Sequence, residues 1–113
     1  MPERIAYKVM TVAEFADMQR AGEFRCSPAD VADGFIHMSS AAQLAATIDT
    51  HYRGRTDLVL AAVDLTRLGE AVRWEPSRGG QLFPHLYGPL PMDAVTAAGP
   101  LTRSADGSVR LPG

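Results

Sequence analysis

The sequence predicts an α+β fold, a single domain in which two helices flank a curved mixed or antiparallel sheet. Two stretches of the first half show helical spacing of apolar residues, whereas the second half holds mostly short strand-like segments. A length of 113 residues suits one domain with one core. We therefore assign residues 1–113 to one domain, with the core at about 5–101 and a C-terminal tail or edge strand at 102–113.

The first helix is predicted from the signals at its two ends. Residues 5–10 contain β-prone side chains and indicate a preceding strand. Thr11 then stands at an N-cap position, with Glu14 at the spacing of a capping box. Gly22 supplies a stop. Together these signals predict a helix over residues 12–21.

The second helix is predicted over residues 41–52. Either Ser39 or Ser40 can serve as its N-cap. His51, close to its end, is expected at the surface. The apolar residues at four-residue spacing that define its buried face are Leu44, Ile48 and Tyr52.

The clearest strand is residues 57–64, an apolar run bounded by aspartates that is typical of a strand buried on both faces. Residues 72–75 alternate apolar and charged side chains, which predicts a strand with Trp74 buried in the core and Arg73 and Glu75 on the opposite face. Two segments have weaker patterns. Residues 81–87 are predicted to contain a short strand or an ordered crossing segment, and residues 92–98 a last strand or a short helix.

Composition narrows the function classes. The net charge of −2 gives no general attraction to nucleic acid or membranes, although a phosphorylated RNA end stays open as a partner. The single cysteine, Cys26, excludes an internal disulfide and a cysteine-rich zinc site, and it suits a reducing compartment. The N-terminus has no signal-peptide pattern and no apolar run is long enough to span a membrane, so a cytoplasmic protein is expected. The oligomeric state is left open.

Residues 73–91, RWEPSRGGQLFPHLYGPLP, form the most distinctive stretch. They hold the only tryptophan, four of the eight prolines and three of the ten glycines, which indicates an ordered loop on a rigid scaffold. Arg78 lies beside two glycines that let a ligand approach closely, so it is the best anion-binding candidate. His85, held between a proline and a leucine, is the second candidate. Glu75 is a candidate catalytic carboxylate, with an ion pair to a neighbouring arginine as its alternative role.

Residues 33–39, DGFIHMS, form the second informative stretch. They place His37 and Ser39 at a predicted strand-to-helix junction, where free backbone N–H groups attract anions. The alternative is that His37 packs on its strand and the serines only cap the helix. The three histidines lack short metal-ligand spacing, so no metal is expected. Neither a nucleophile elbow nor a phosphate-binding P-loop pattern is present.

These two stretches together resemble the small bacterial family called domain of unknown function 952, over about residues 5–101. The resemblance implies a fold similar to that of ADP-ribosyltransferases, particularly the RNA 2′-phosphotransferase branch, which uses NAD. It implies that His37 and Ser39 contact the nicotinamide-side ribose. Arg78 corresponds by chemistry to the phosphate-binding arginines of that branch. The glutamate of the transferases has no secure match, and Glu75 is only a candidate for it.

Three hypotheses follow from the sequence. The first is an enzyme that acts on NAD or on an ADP-ribosylated or phosphorylated substrate. In it, His37 holds a ribose, Arg78 holds a phosphate, and His85 or Glu75 assists the reaction. The second is a non-catalytic module that binds a nucleotide-like ligand in the same pocket. The third is a structural or partner-binding domain in which the aromatic residues of 73–91 form core or interface. A structure in which His37, Arg78 and His85 converge on one pocket would favour the first two hypotheses over the third.

Overall fold

The computed structural model describes residues 4–25, 33–76 and 80–112. Two α-helices and eight β-strands lie within these ranges. In chain order they are β1 (Ile5–Thr11), α1 (Val12–Ala21), β2 (Glu23–Phe24), β3 (Ile36–His37), α2 (Leu44–His51), β4 (Leu58–Asp64), β5 (Val72–Pro76), β6 (Leu82–Leu86), β7 (Leu90–Pro91) and β8 (Val95–Pro100).

The described strands form three antiparallel sheets. The first has the order β1-β4-β8, the second β3-β6-β5, and the third consists of β2 and β7. The α+β class and the antiparallel arrangement are as predicted, but the strands divide among three sheets where the sequence predicted one. The segment 81–87 contains a strand, and 92–98 contains a short 3-10 turn followed by a strand.

A short extended segment, residues 36–39, joins the two larger sheets. Ile36 and His37 pair with β6. Ser39 then pairs with Tyr7 of β1 through two backbone hydrogen bonds, of 2.8 Å and 2.9 Å. The two sheets are therefore connected through one continuous stretch of backbone.

Helix α1 begins and ends where the sequence predicts. The Thr11 hydroxyl accepts a hydrogen bond from the backbone N–H of Glu14, and the Glu14 carboxylate accepts one from the backbone N–H of Thr11. This reciprocal capping box satisfies two donors that a helix start leaves open. Gly22 ends the helix with φ of 84°, a left-handed conformation that glycine adopts without a steric penalty.

The second helix differs from its prediction at the start. Residues 41–43 form a 3-10 turn, and the α-helix proper begins at Leu44 and ends at His51. Ser40 is the capping residue, in a capping box with Gln43. Ser39 does not cap the helix, because its backbone is paired with β1.

Strand β4 divides the core into two clusters. Every residue from Leu58 to Val63 is buried, as the sequence predicts. Because side chains alternate along a strand, Leu58 and Leu60 face the second helix and pack with Leu44 and Ile48, while Ala61 and Val63 contribute to the larger cluster on the other side. That larger cluster also contains Met18 of α1.

Trp74 lies on the core side of its strand, as the sequence predicts, and packs against the larger cluster as a partly buried side chain. Its strand, β5, lies at the outer edge of its sheet, with β6 on one side. The predicted alternation is nevertheless present, since Arg73 and Trp74 lie on opposite faces of this strand.

The C-terminal residues form a small hairpin in their described part. Arg103 and Val109 are paired across it, and Val109 packs against the cluster under the second helix. The Arg103 guanidinium donates to Asp49 of that helix at 2.6 Å and also to the carbonyl of Gly107. Among the described residues, no helix combines the length and apolar character needed to cross a membrane.

Candidate functional site

Strand register places polar side chains on one face of the β3-β6-β5 sheet. His37 is paired with His85, and His85 is paired in turn with Arg73. Paired residues of antiparallel strands project from the same face, so these three side chains form a row across the sheet. Glu75 lies two residues beyond Arg73 and shares that face. The neighbouring positions Ile36 and Leu86 project from the other face into the core.

Aromatic rings fill the space around the two histidines. The ring of Phe35 stacks on His85, with centroids 4.0 Å apart and an interplanar angle of 21°. The same ring lies 4.7 Å from the ring of His37 and 5.3 Å from that of Tyr87. We call the following set the histidine cluster: Phe35, His37, Arg73, Glu75, His85 and Tyr87.

The carboxylate of Glu75 connects two members of the cluster. Its Oε1 accepts a hydrogen bond of 2.6 Å from the Tyr87 hydroxyl and lies 2.8 Å from Nδ1 of His85. The Tyr87 hydrogen bond, followed by that of His85, lowers the pKa of Glu75 below its ordinary value. The same carboxylate raises the pKa of Tyr87. Glu75 is therefore ionised at neutral pH, and its nearest described partners are His85 and Tyr87.

Arg73 supplies the positive charge at the edge of the cluster. Its guanidinium lies over the ring of Tyr87, 5.0 Å from the centroid, in a cation–π contact. Arg73 is exposed, and Tyr87 is 39% exposed. This edge of the cluster therefore presents an arginine and an aromatic ring to solvent.

His85 is the most deeply buried polar member of the cluster. It is 4% exposed, and its Nε2 atom is shielded from solvent without a hydrogen-bond partner in the described structure. Because a carboxylate oxygen only accepts hydrogen bonds, Nδ1 must carry the proton that bridges to Glu75. In the neutral ring, Nε2 then carries a lone pair.

His37 has a different environment from its neighbour. Its Nε2 lies 2.8 Å from the Asp33 carboxylate; the His37 side chain is partly exposed, at 37%, and that of Asp33 is exposed, at 55%. The two histidines therefore engage carboxylates through different ring nitrogens, one at the surface and one in the interior.

The structure brings together three of the five candidate residues from the sequence. His37, His85 and Glu75 lie in the histidine cluster. Ser39 is buried, and its hydroxyl lies 3.0 Å from that of Thr47 on the second helix. Arg78 lies outside the described residues.

Sequence reasoning did not identify Phe35, Arg73 or Tyr87 as site residues, and it did not identify Asp33 as the partner of His37. Phe35 precedes His37 by two positions, and Tyr87 follows His85 by two, the spacing that puts strand neighbours on one face. Asp33 precedes His37 by four. The spacing of two residues, which places side chains on one face of a strand, could therefore have indicated Phe35 and Tyr87.

In the described part of the chain, histidine, cysteine and acidic side chains form no group of three or more that could hold a metal ion.

Comparison with known proteins yields a family and a set of similar structures. A family model described as "Protein of unknown function (DUF952)" matches residues 9–98. The crystal structure of protein CC0527 from Caulobacter crescentus is similar, with a TM-score of 0.85 and 44% sequence identity over 95% of this chain and 94% of that one. The solution NMR structure of CC0527 gives a TM-score of 0.81 and 44% identity, over 95% and 91% of the two chains. A search of curated proteins gave no match.

Proposed function

We propose that this chain, which belongs to the family of proteins of unknown function DUF952, binds NAD or a related ADP-ribose-containing nucleotide at the histidine cluster and transfers a group from it. The observation that carries the proposal is the convergence of His37, His85 and Glu75, from three different strands, on one face of a sheet. The proposed class is an ADP-ribosyltransferase-like or phosphotransferase-like enzyme.

The charge of Glu75 suits the chemistry of NAD cleavage. When nicotinamide leaves with the electron pair of the glycosidic bond, the ribose carbon becomes cationic. An ionised carboxylate already held in place stabilises such a charge without reorganising. Glu75 meets this requirement, because its pKa is lowered by Tyr87 and His85 and its side chain keeps 33% of its surface exposed.

The exposed edge of the histidine cluster, at Arg73, is suited to binding the phosphates of the nucleotide. The exposed guanidinium of Arg73 can donate two parallel hydrogen bonds to a phosphate, which is the geometry that favours arginine over lysine. Arg78, proposed from its position beside two glycines, would add a second phosphate contact. His37, whose side chain lies on the same face of the sheet and is 37% exposed, is the proposed ribose contact.

Calorimetric titration of NAD and ADP-ribose tests the binding part of the proposal. We expect the wild-type protein to bind with a dissociation constant below about 1 mM, which corresponds to about −4 kcal/mol. His37→Ala, His85→Ala and Arg73→Gln should each weaken binding by about tenfold or more, about 1.4 kcal/mol. His51→Ala is the matched control, because that histidine lies exposed at the end of the second helix and should leave affinity unchanged. Arg78→Gln tests the second phosphate contact.

Release of nicotinamide from NAD, measured by chromatography, tests the transfer part. Glu75→Gln should lower the rate of nicotinamide release, and its spectrum should remain that of the folded protein. Binding without any release or transfer would contradict an enzymatic role and leave a nucleotide-binding module. A wild-type protein that binds neither nucleotide at millimolar concentration would contradict the proposal as a whole.

A further inference from the structure

We propose that Tyr87 and Glu75 are positioning residues that hold the proton of His85 on Nδ1, so that Nε2 accepts a hydrogen bond from a hydroxyl of the substrate. The proposal deepens the proposed function and rests on it for the identity of that hydroxyl, which would belong to a ribose. It assigns a direction to the hydrogen bond at the most buried polar atom of the cluster.

The first step is the fixed direction of the hydrogen bonds at Glu75. Tyr87 donates its hydroxyl proton to Oε1 at 2.6 Å, and Nδ1 of His85 lies 2.8 Å from the same oxygen. A carboxylate has no proton to give, so both partners must donate. Distances this short are typical of hydrogen bonds to a charged acceptor. The tautomer of a histidine is set by the hydrogen bond that its other nitrogen makes, so this arrangement leaves Nε2 as an acceptor.

The second step is the state of that acceptor. Nε2 is shielded from solvent, and no hydrogen-bond donor among the described residues reaches it. Native structures pair nearly all of their buried polar atoms, and an unpaired one calls for an explanation such as a functional role. A donor supplied by a ligand would satisfy Nε2 and remove the cost of its burial.

The third step is the chemical class of the donor. A lone pair on Nε2 attracts a hydroxyl or an N–H group and repels the oxygens of a phosphate, which only accept. A sugar hydroxyl therefore suits His85, whereas a phosphate suits the exposed guanidinium of Arg73. Because the Phe35 ring stacks on the imidazole, a substrate reaches Nε2 only when the packing around the ring opens.

Nitrogen NMR of histidine-labelled protein at mildly alkaline pH tests the positioning role, since the two neutral tautomers give different nitrogen shifts. His85 is assigned by the loss of its signals in His85→Gln. In the wild type we expect the Nδ1–H tautomer. Glu75→Ala removes the acceptor, and Glu75→Gln can present either an oxygen or an NH₂ group to Nδ1. Both should lose the single tautomer, and Tyr87→Phe should weaken the preference. Glu70→Gln, at an exposed position, should change nothing.

An Nε2–H tautomer in the wild type would overturn the proposal, as would an unchanged tautomer in folded Glu75→Ala and Glu75→Gln. Adding ADP-ribose then tests the donor, and we expect the Nε2 signal of His85 to shift on binding. Binding without that shift would overturn the acceptor role. If ADP-ribose does not bind at all, the proposed function fails together with the ribose hydroxyl, and the tautomer of the free protein alone decides the role of Tyr87 and Glu75.

Discussion

His37 and His85 lie directly opposite each other on neighbouring strands, with their ring centroids 5.7 Å apart and their planes at 68°. Each has its own carboxylate, Asp33 for the exposed ring and Glu75 for the buried one. The same residue type therefore occupies two environments on one face of the sheet. Substitution of the two histidines should accordingly have different effects on the stability of the protein.

The first prediction concerns the stability contribution of the two rings. His85→Ala removes a buried side chain that stacks on Phe35 and orients Glu75, so the free energy of unfolding should fall by about 2 kcal/mol or more. His37→Ala removes a ring paired with Asp33 at the surface and should cost less than about 1 kcal/mol. Urea denaturation of both variants measures the difference, and equal losses would contradict the assignment of one interior and one surface ring.

The second prediction is a pH dependence of stability that originates at Glu75. Its pKa in the folded protein is below the ordinary value of 4.5, because of Tyr87 first and His85 second. The unfolded state therefore takes up a proton at higher pH than the folded state does. The resulting stabilisation is fully present above pH 4.5 and is lost as the pH falls through the folded pKa.

Denaturant midpoints measured from neutral to acidic pH test this prediction. Glu75→Gln should be less stable than the wild type at neutral pH, and the difference between the two proteins should shrink below pH 4.5. Glu70→Gln, in an exposed turn, serves as the control that removes one carboxylate elsewhere. Parallel curves for wild type and Glu75→Gln across the acidic range would show that Glu75 does not contribute in this way.

The third prediction concerns the N-cap of helix α1. Thr11→Ala removes the hydroxyl that receives the backbone N–H of Glu14, so the unfolding free energy should decrease by about 1 kcal/mol. Thr56→Ala makes the same chemical change at an exposed position outside the helices and strands, where an effect within about 0.5 kcal/mol is expected. Thermal or denaturant unfolding distinguishes the two, and similar losses would argue against the cap.

The fourth prediction concerns the core around strand β4. Leu60 is 1% exposed and packs beneath the second helix, so Leu60→Ala should destabilise the domain by about 2–5 kcal/mol through lost burial and a cavity. Val12→Ala shortens a side chain that is 55% exposed and should change stability by no more than about 0.5 kcal/mol. Equal melting temperatures for the two variants would contradict the placement of Leu60 in the core.

Elements with local signals could be predicted from the sequence. Helix α1 is specified by a capping box at one end and a glycine at the other, both within reach of the residues that they cap. Strand β4 is specified by a continuous apolar run. The start of the second helix was less accurate, because Ser39 is drawn into pairing with Tyr7 and only Ser40 is left to cap.

Three members of the histidine cluster, His37, Glu75 and His85, could be predicted as site residues from the sequence, but the geometry of the cluster could not. Alternation along β5 indicated that Arg73 and Glu75 share a face. The pairing of His37 with His85 depends on register between strands distant in sequence, and no local pattern specifies it. The sequence also suggested Arg73 or Arg78 as an ion-pair partner for Glu75. The described part of the sheet brings His85 and Tyr87 to its carboxylate, and Arg78 lies outside the described residues.

The four residues 36–39 also limit how this chain can change in length. Their backbone is paired with β6 at one end and with β1 at the other. Deleting or inserting one residue here would exchange the two faces of the segment, bringing an isoleucine to the polar cluster and an imidazole to the apolar core. Length variation among relatives should therefore concentrate elsewhere, for example at the turn of the C-terminal hairpin between Ser104 and Ser108, where the exposed backbone can absorb an added residue.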